Sequence, residues 1–202
     1  NPLIVPNSFA CTGVVSLPGY SAAAGGGHLM LARNFDFEGG ESFGRQKSVT
    51  YIVPPPGEGI PFAHVAWPGL AGCVTGINQE RIAVFINAAA TGDHRLIGPP
   101  TILVAREILQ HAHSLADAQR IIEGATVFVS DILVVADGKT GQARVFEKSP
   151  ARTAFYDVSE SAALANELTT PVFADDPVNR SRIADSTTHQ RLTRARELLN
   201  GL

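Results

Sequence analysis

The sequence is short of cysteine, methionine and tryptophan, has no strong charge bias and contains no long apolar run. Two cysteines, Cys11 and Cys73, among 202 residues are too few for a disulfide framework, and they lack the clustered Cys/His spacing of a zinc site. Cysteine usage therefore leaves the redox compartment open. His111 and His113 stand two apart near the end of an apolar helical pattern, which does not put both on one helical face, so a metal site is not expected there. A formal net charge of −3 gives no electrostatic reason to expect nucleic acid or an anionic membrane as a partner. No apolar stretch approaches the roughly 20 residues that span a bilayer, and the first ten residues show no basic start before an apolar run. What is present is a chain 45% hydrophobic and 17% charged, long enough for one domain with its own core. The expected partner is a small molecule or a peptide-like group.

Periodicity divides the chain into strands, a helical pair, further strands and a last helix. Val14–Leu17, His28–Ala32, Val49–Val53, Phe62–Ala66 and Ile82–Asn87 read as strands, with a loop at residues 54–59 where three prolines remove ladder donors. Ile102, Ala105, Ile108, Leu109 and Ala112 recur at helical spacing. Ser114 with Asp117 resembles a capping arrangement, ahead of Leu115, Ala118, Ile121 and Ile122, and Gly124 stops the pattern. Val127–Ala136, a turn at Asp137-Gly138, and Ala143–Glu147 predict an antiparallel pair. Ser186 is placed to cap a final helix carrying Leu192, Ala195 and Leu199, with Gly201 as its terminator. This order predicts a layered α+β fold rather than a regular parallel βαβ protein.

The strongest chemical signal is Cys11-Thr12-Gly13 at the head of one strand and Ala32-Arg33-Asn34-Phe35-Asp36 at the end of the next. A hairpin of that kind brings Cys11 toward Arg33 and Asp36, where a cation favours a thiolate and a carboxylate can orient an amine. On its own the same pattern also fits a buried small cysteine beside a structural Arg/Asp pair. Cys73, between small and apolar residues, reads as buried. A Cys11/His64 pair is conceivable but has no supporting motif, and Trp67 and Phe62 are candidates either for an acyl pocket or for the core.

These residues, taken in order, resemble the choloylglycine-hydrolase-like and penicillin-acyltransferase-like N-terminal-nucleophile (Ntn) hydrolases, and most nearly their autoproteolytic acyltransferase branch. Cys11-Thr12 with Ala32–Asp36 looks like that family's nucleophile strand and Arg-Asn-x-Asp motif. Trp67-Pro68-Gly69-Leu70-Ala71-Gly72 with Gly76-Ile77-Asn78, leading to Asn87, resembles the next block of the acyltransferase branch. Leu164-Ala165-Asn166 resembles the Thr-Asn segment, and Arg191 the late active-site arginine.

The resemblance implies a four-layer αββα Ntn-hydrolase sandwich with no metal or organic cofactor and a small-molecule amide as substrate. It implies a leader or small-subunit tail at residues 1–10 and a catalytic domain at 11–202. Cys11 would become the nucleophile once the Ala10–Cys11 bond is cut, its freed α-amine serving as base. Asp36 would hold that amine, Arg33 polarise the thiol's surroundings, Asn87 donate to the oxyanion, and Asn166 and Arg191 complete the polar network. Ten residues precede Cys11, which fits a precursor that cuts itself. Relatives continue beyond the late arginine, so the sandwich is expected to be incomplete at the C-terminus of this chain, with room for a second chain or segment to complete it. Two rival readings stand beside this one: a Cys/His hydrolase of other architecture, and a catalytically silent Ntn-fold binding protein.

Overall fold

The computed structural model describes residues 9–20, 27–37 and 40–200. The chain runs through strands β1 (Phe9–Ser16) and β2 (Met30–Phe37), a short helix α1 (Gly40–Arg45), and strands β3 (Ser48–Ile52), β4 (Phe62–Ala66), β5 (Thr75–Asn78) and β6 (Ile82–Ala88). Helices α2 (Thr101–His111) and α3 (Leu115–Gly124) follow, then strands β7 (Asp131–Asp137), β8 (Gln142–Lys148), β9 (Thr153–Asp157) and β10 (Ser161–Leu164). A 3-10 turn at Pro171–Phe173 leads to α4 (Pro177–Asp185) and α5 (Thr188–Asn200). Leader residues 1–8 and the terminator Gly201 lie outside the described residues.

Among the described residues the strands form two antiparallel sheets, one ordered β10-β1-β2 and one of seven strands ordered β3 through β9. Helices α2 and α3 cover the outer face of the larger sheet, and α5 packs on β10 and β1. The layer order is therefore helix, sheet, sheet, helix, the expected αββα sandwich.

Strand alternation sorts each side chain into one of three cores. On β6 and β7, Ile82, Val84, Ile86, Leu133 and Val135 join Ile108, Leu109 and Ile122 under the helices. The intervening residues Phe85, Ile132, Val134 and Ala136 join Val15 between the sheets. Val14, one residue from Val15, turns outward to meet Leu192, Ala195 and Leu199 of α5. The sheets approach closely at Gly13, where a Cβ would lie 2.6 Å from the Phe85 ring. A side chain at position 13 would thus push apart the layers that hold the next inward residue, Cys11.

Most expected elements are present, with shifts that have local causes. Ser114 caps α3 by accepting from Asp117 N at 3.2 Å, and Phe62–Ala66 forms a strand with the expected ends. The strand expected at Val127–Ala136 begins only at Asp131, because Val127 is buried against the helix-side core as part of a loop. Ser186 joins two helices: its hydroxyl donates to Arg182 O at 2.7 Å and accepts from Thr188 N at 3.2 Å. Helix α4 was not anticipated, although Asp176 caps it by accepting from Val178 N and Asn179 N at 3.1 Å each, with Pro177 in the first turn.

Candidate active site

Strand β1 carries Cys11 into the space between the sheets, where it is fully buried. Pairing of β1 with β10 ends at Gly13↔Leu164. Past that point the chain of β10 departs, and a side chain takes over the acceptor position: Cys11 N donates to Asn166 Oδ1 at 2.8 Å. The sulfur is engaged from the β2 side, where Arg33 Nη2 donates to Cys11 Sγ at 3.3 Å. From α5, Arg191 donates to the Cys11 carbonyl oxygen and, at 3.0 Å, to Thr12 Oγ1. Nitrogen, sulfur and carbonyl of one residue are thus each held by a different side chain.

These side chains are linked to one another. Arg33 Nε donates to Asn87 Oδ1 at 3.2 Å and its Nη1 to Thr75 Oγ1 at 3.4 Å, while its guanidinium lies 4.2 Å from the Phe35 ring centroid. Asn87, at the end of β6 and fully buried, donates through Nδ2 to Ala165 O at 3.0 Å. Asn166 Nδ2 donates to Ala88 O at 2.8 Å, and Arg191 Nη2 donates to Asn166 Oδ1 at 2.8 Å. The two asparagines stitch the end of β6 to the end of β10 beside Cys11, and Arg33 joins β2 to β5 and β6 on the other side.

Burial pulls the guanidinium groups of Arg33, Arg182 and Arg191 below their ordinary range, and the charge of Cys11 pushes each of them back up. Asp131, buried at the start of β7, is pushed up to about 7 by desolvation, against the opposing effects of Thr101, Arg33 and Arg182. Desolvation likewise drives the Cys73 thiol up to about 12, the environment of an inert cysteine.

Of the residues read from the sequence, Cys11, Arg33, Asn87, Asn166 and Arg191 converge here. Asp36 stands apart from the sulfur: register places it opposite Ala10, on the outer face shared with Thr12, where its charge acts on Arg33 and Arg191. His64 faces the other way. Its ring lies tilted beside that of Phe62, with centroids 5.7 Å apart, beneath α2, and its pKa is lowered by burial and then by Arg106. Phe62 is core, whereas Trp67 stacks on Phe43 with centroids 4.4 Å apart and lies 5.5 Å from Phe35. Thr75 and Thr188 were missed, because single hydroxyls in strands and helix starts give no sequence signal; Thr12 was read only as part of the Cys11-Thr12 motif, with no role of its own. Among the described residues no cluster of His, Cys, Asp or Glu is placed to hold a metal ion, and no helix is long and apolar enough to cross a membrane.

Two cavities lie along β6, and the first of them reaches Arg33 and Thr75 of this centre. One of about 460 Å³ lies between the sheets and is lined by Leu31, Arg33, Val65, Thr75 and Phe85. The other, about 720 Å³, begins at Ala89 and is lined also by His94, Arg95, Ser130 and Arg182.

The arrangement of sheets and helices is that of the Ntn hydrolases. A Caenorhabditis elegans ortholog of N-acylethanolamine-hydrolyzing acid amidase superposes with a TM-score of 0.61 at 15% identity, covering 91% of this chain and 84% of that one. A mutant conjugated bile acid hydrolase from Clostridium perfringens superposes with a TM-score of 0.57 at 12% identity, covering 81% and 55%. Residues 23–202 match the model of the acyl-coenzyme A:6-aminopenicillanic acid acyl-transferase family, and the chain belongs to that family. An uncharacterised protein of Archaeoglobus fulgidus is 28% identical over 132 residues, 64% of this chain and 21% of that protein. The chain thus spans about a fifth of the length of that relative.

Proposed function

We propose that this chain is the precursor of a cysteine Ntn amidohydrolase or acyltransferase acting on linear amides, with residues 1–10 as leader and 11–202 as catalytic domain. The observation that carries the reading is the threefold grip on Cys11: Asn166 on its nitrogen, Arg33 on its sulfur and Arg191 on its carbonyl.

Activation follows from that grip. The Cys11 sulfur attacks the Ala10 carbonyl, the peptide nitrogen takes up a proton and leaves as an amine, and the Ala10 acyl group passes to sulfur as a thioester. Water then releases the Ala10 carboxylate and leaves a free thiol and α-amine. The amine stays on Asn166 Oδ1, close enough to the thiol to act as its base. In turnover the thiolate attacks the substrate carbonyl and the same amine returns the proton to the leaving group. Water or an incoming amine then takes the acyl group from sulfur.

Asn87 is the proposed oxyanion donor. One of its two N–H bonds is given to Ala165 O, and the other serves the oxyanion. Asp36, opposite Ala10, orients the cleavage point. The apolar slot beside Arg33 suits the acyl part of a substrate and the more polar cavity beyond Ala89 its amine part.

Intact mass and N-terminal sequencing test this reading directly. Wild-type protein should lose residues 1–10 on incubation and react at Cys11 with a thiol electrophile, whereas Cys11→Ala should remain intact and inactive. Wild-type protein that stays uncleaved yet hydrolyses amides would remove the α-amine from the mechanism; an uncleaved, unreactive and inactive wild type would establish a silent binding protein instead.

A further inference from the structure

We propose that Glu147 is a positioning residue of this site, holding Asn166 on the nucleophile through the loop that carries it. Glu147 is the last inward-facing residue of β8, continuing the face of Ala143 and Val145, and is only 1% exposed. A carboxylate there is strongly unfavourable unless its lone pairs are filled. They are filled by two consecutive residues. Oε1 accepts from Thr169 N at 2.5 Å and Thr169 Oγ1 at 3.0 Å. Oε2 accepts from Thr170 N at 3.0 Å and Thr170 Oγ1 at 2.5 Å.

Those threonines belong to residues 165–170, which leave β10 and reach the 3-10 turn with no strand ladder to fix them. The loop is held instead by side chains. Asn179 of α4 pairs with Leu168 in both directions, at 3.0 and 2.9 Å. Thr188 Oγ1 accepts from Asn166 N at 2.8 Å. Glu147 fixes the far end, three residues beyond Asn166. With its backbone fixed on both sides, Asn166 has one orientation in which Oδ1 meets Cys11 N and Arg191 Nη2, each at 2.8 Å. Hydrogen bonds are directional where apolar packing is not, so four donors to one carboxylate define the loop's position along and across β8. A site of this kind fails when its supporting shell lets it drift by about 1 Å. The donors come from the loop itself rather than from a neighbouring arginine or lysine, so the carboxylate's charge is directed at the element that needs placing.

The geometric part of this proposal stands on the hydrogen bonds alone; the kinetic part rests on the function proposed above. The geometric test uses uncleaved Cys11→Ala protein, in which position 11 keeps its amide, and follows hydrogen exchange at that amide. Glu147→Gln, and separately Thr170→Val, should speed exchange at position 11 about tenfold, equivalent to about 1.4 kcal/mol. Ile122→Val, a change in the helix-side core chosen to match the loss in melting temperature, should leave it unchanged. In cleaved enzyme with Cys11 present, both loop variants should lower kcat about tenfold with little change in KM. Exchange at position 11 no faster in either loop variant than in the Ile122→Val control would overturn the proposal, whatever the kinetics. Should wild type neither cleave nor turn over, the functional reading falls and the exchange comparison still decides the role of Glu147. If Glu147→Gln does not fold, Thr170→Val keeps the carboxylate, removes one donor and gives the same answer.

Discussion

Gly13→Ala is the sharpest test of how the two sheets hold Cys11. A Cβ at position 13 would sit 2.6 Å from two atoms of the Phe85 ring, whereas carbon atoms rest at about 3.5–4.0 Å. The layers, or the ring, must therefore move by about 1 Å. Phe85 is 1% exposed and clusters with Ile132, Val134 and Val145, so the ring can yield only toward the cavity of about 460 Å³ that it lines. Overpacking of this kind costs about 1–3 kcal/mol, and at about 2–4 °C per kcal/mol for a chain of this size the melting temperature should fall by about 2–12 °C. The displacement falls two residues from Cys11, whose bonds to Asn166 and Arg33 are 2.8 and 3.3 Å long, so the proposed cleavage before Cys11 should slow more than the stability loss alone would explain. Urea unfolding gives the stability, and a mass-spectrometric time course gives the cleavage. Phe85→Leu removes the opposing ring atoms, so the double variant should recover at least 0.5 kcal/mol relative to the sum of the singles, the lower end of about 0.5–3 kcal/mol for contacting residues. Additive singles, or a Gly13→Ala loss below about 0.5 kcal/mol, would refute the close approach as the reason for glycine.

Two further outcomes follow from the polar networks. Asn87→Ala should lower turnover about 100-fold or more through loss of the proposed oxyanion donor. It should also reduce stability by about 1–3 kcal/mol, because Arg33 Nε and Ala165 O lose their buried partner; unchanged unfolding with reduced turnover would separate those roles, and normal turnover would remove Asn87 from the site. Arg152 bridges Asp93 at 2.8 Å and Asp176 at 2.6 Å. Burial raises both carboxyls, but for Asp93 the bonds from Arg152 and Ser149, and for Asp176 those from Asn179 N, Arg152 and Gly92 N, outweigh it and hold both below their ordinary range. Depressed carboxyls stabilise the fold above their unfolded value of about 3.9 and lose that contribution as pH falls through their folded values. Arg152→Ala should therefore destabilise by about 3 kcal/mol at pH 7, with the gap to wild type closing below pH ~4. A gap that stays constant to pH 3 in urea unfolding would show that Arg152 acts instead through its contacts that do not titrate, over the Phe173 ring at 4.6 Å and with Val172 O at 3.0 Å.

Elements whose burial repeats locally were legible in the sequence. Helices α2 and α3 announced themselves through their apolar spacing and Ser114, and β4 and β6 through β-branched and aromatic runs. Strands β5 and β10 were not, because Thr75-Gly76-Ile77-Asn78 and Ser161-Ala162-Ala163-Leu164 have little intrinsic preference to be strands and become so by pairing with β4, β6 and β1. Residue order pointed to the site through likeness to a family, since the bonds that build it join residues as far apart as Cys11 and Arg191 and leave no local trace. Glu147 left one clue: a charge on the inward-facing positions of an otherwise apolar strand, a conflict that a buried hydrogen-bond network resolves. The outward position of Asp36 was open to reading from the pleat, since Arg33 and Asp36 differ by an odd number of residues and must lie on opposite faces.

The two thiols make the chain its own counter. Cys73 is sealed under α2, with its pKa pushed up to about 12, and it will not consume an alkylating reagent at neutral pH. Cys11 is equally shut in while the chain is whole. Stoichiometric uptake of a label by native protein, read against none at the start, would therefore report the fraction of molecules whose site has opened, with no second substitution needed to silence the background.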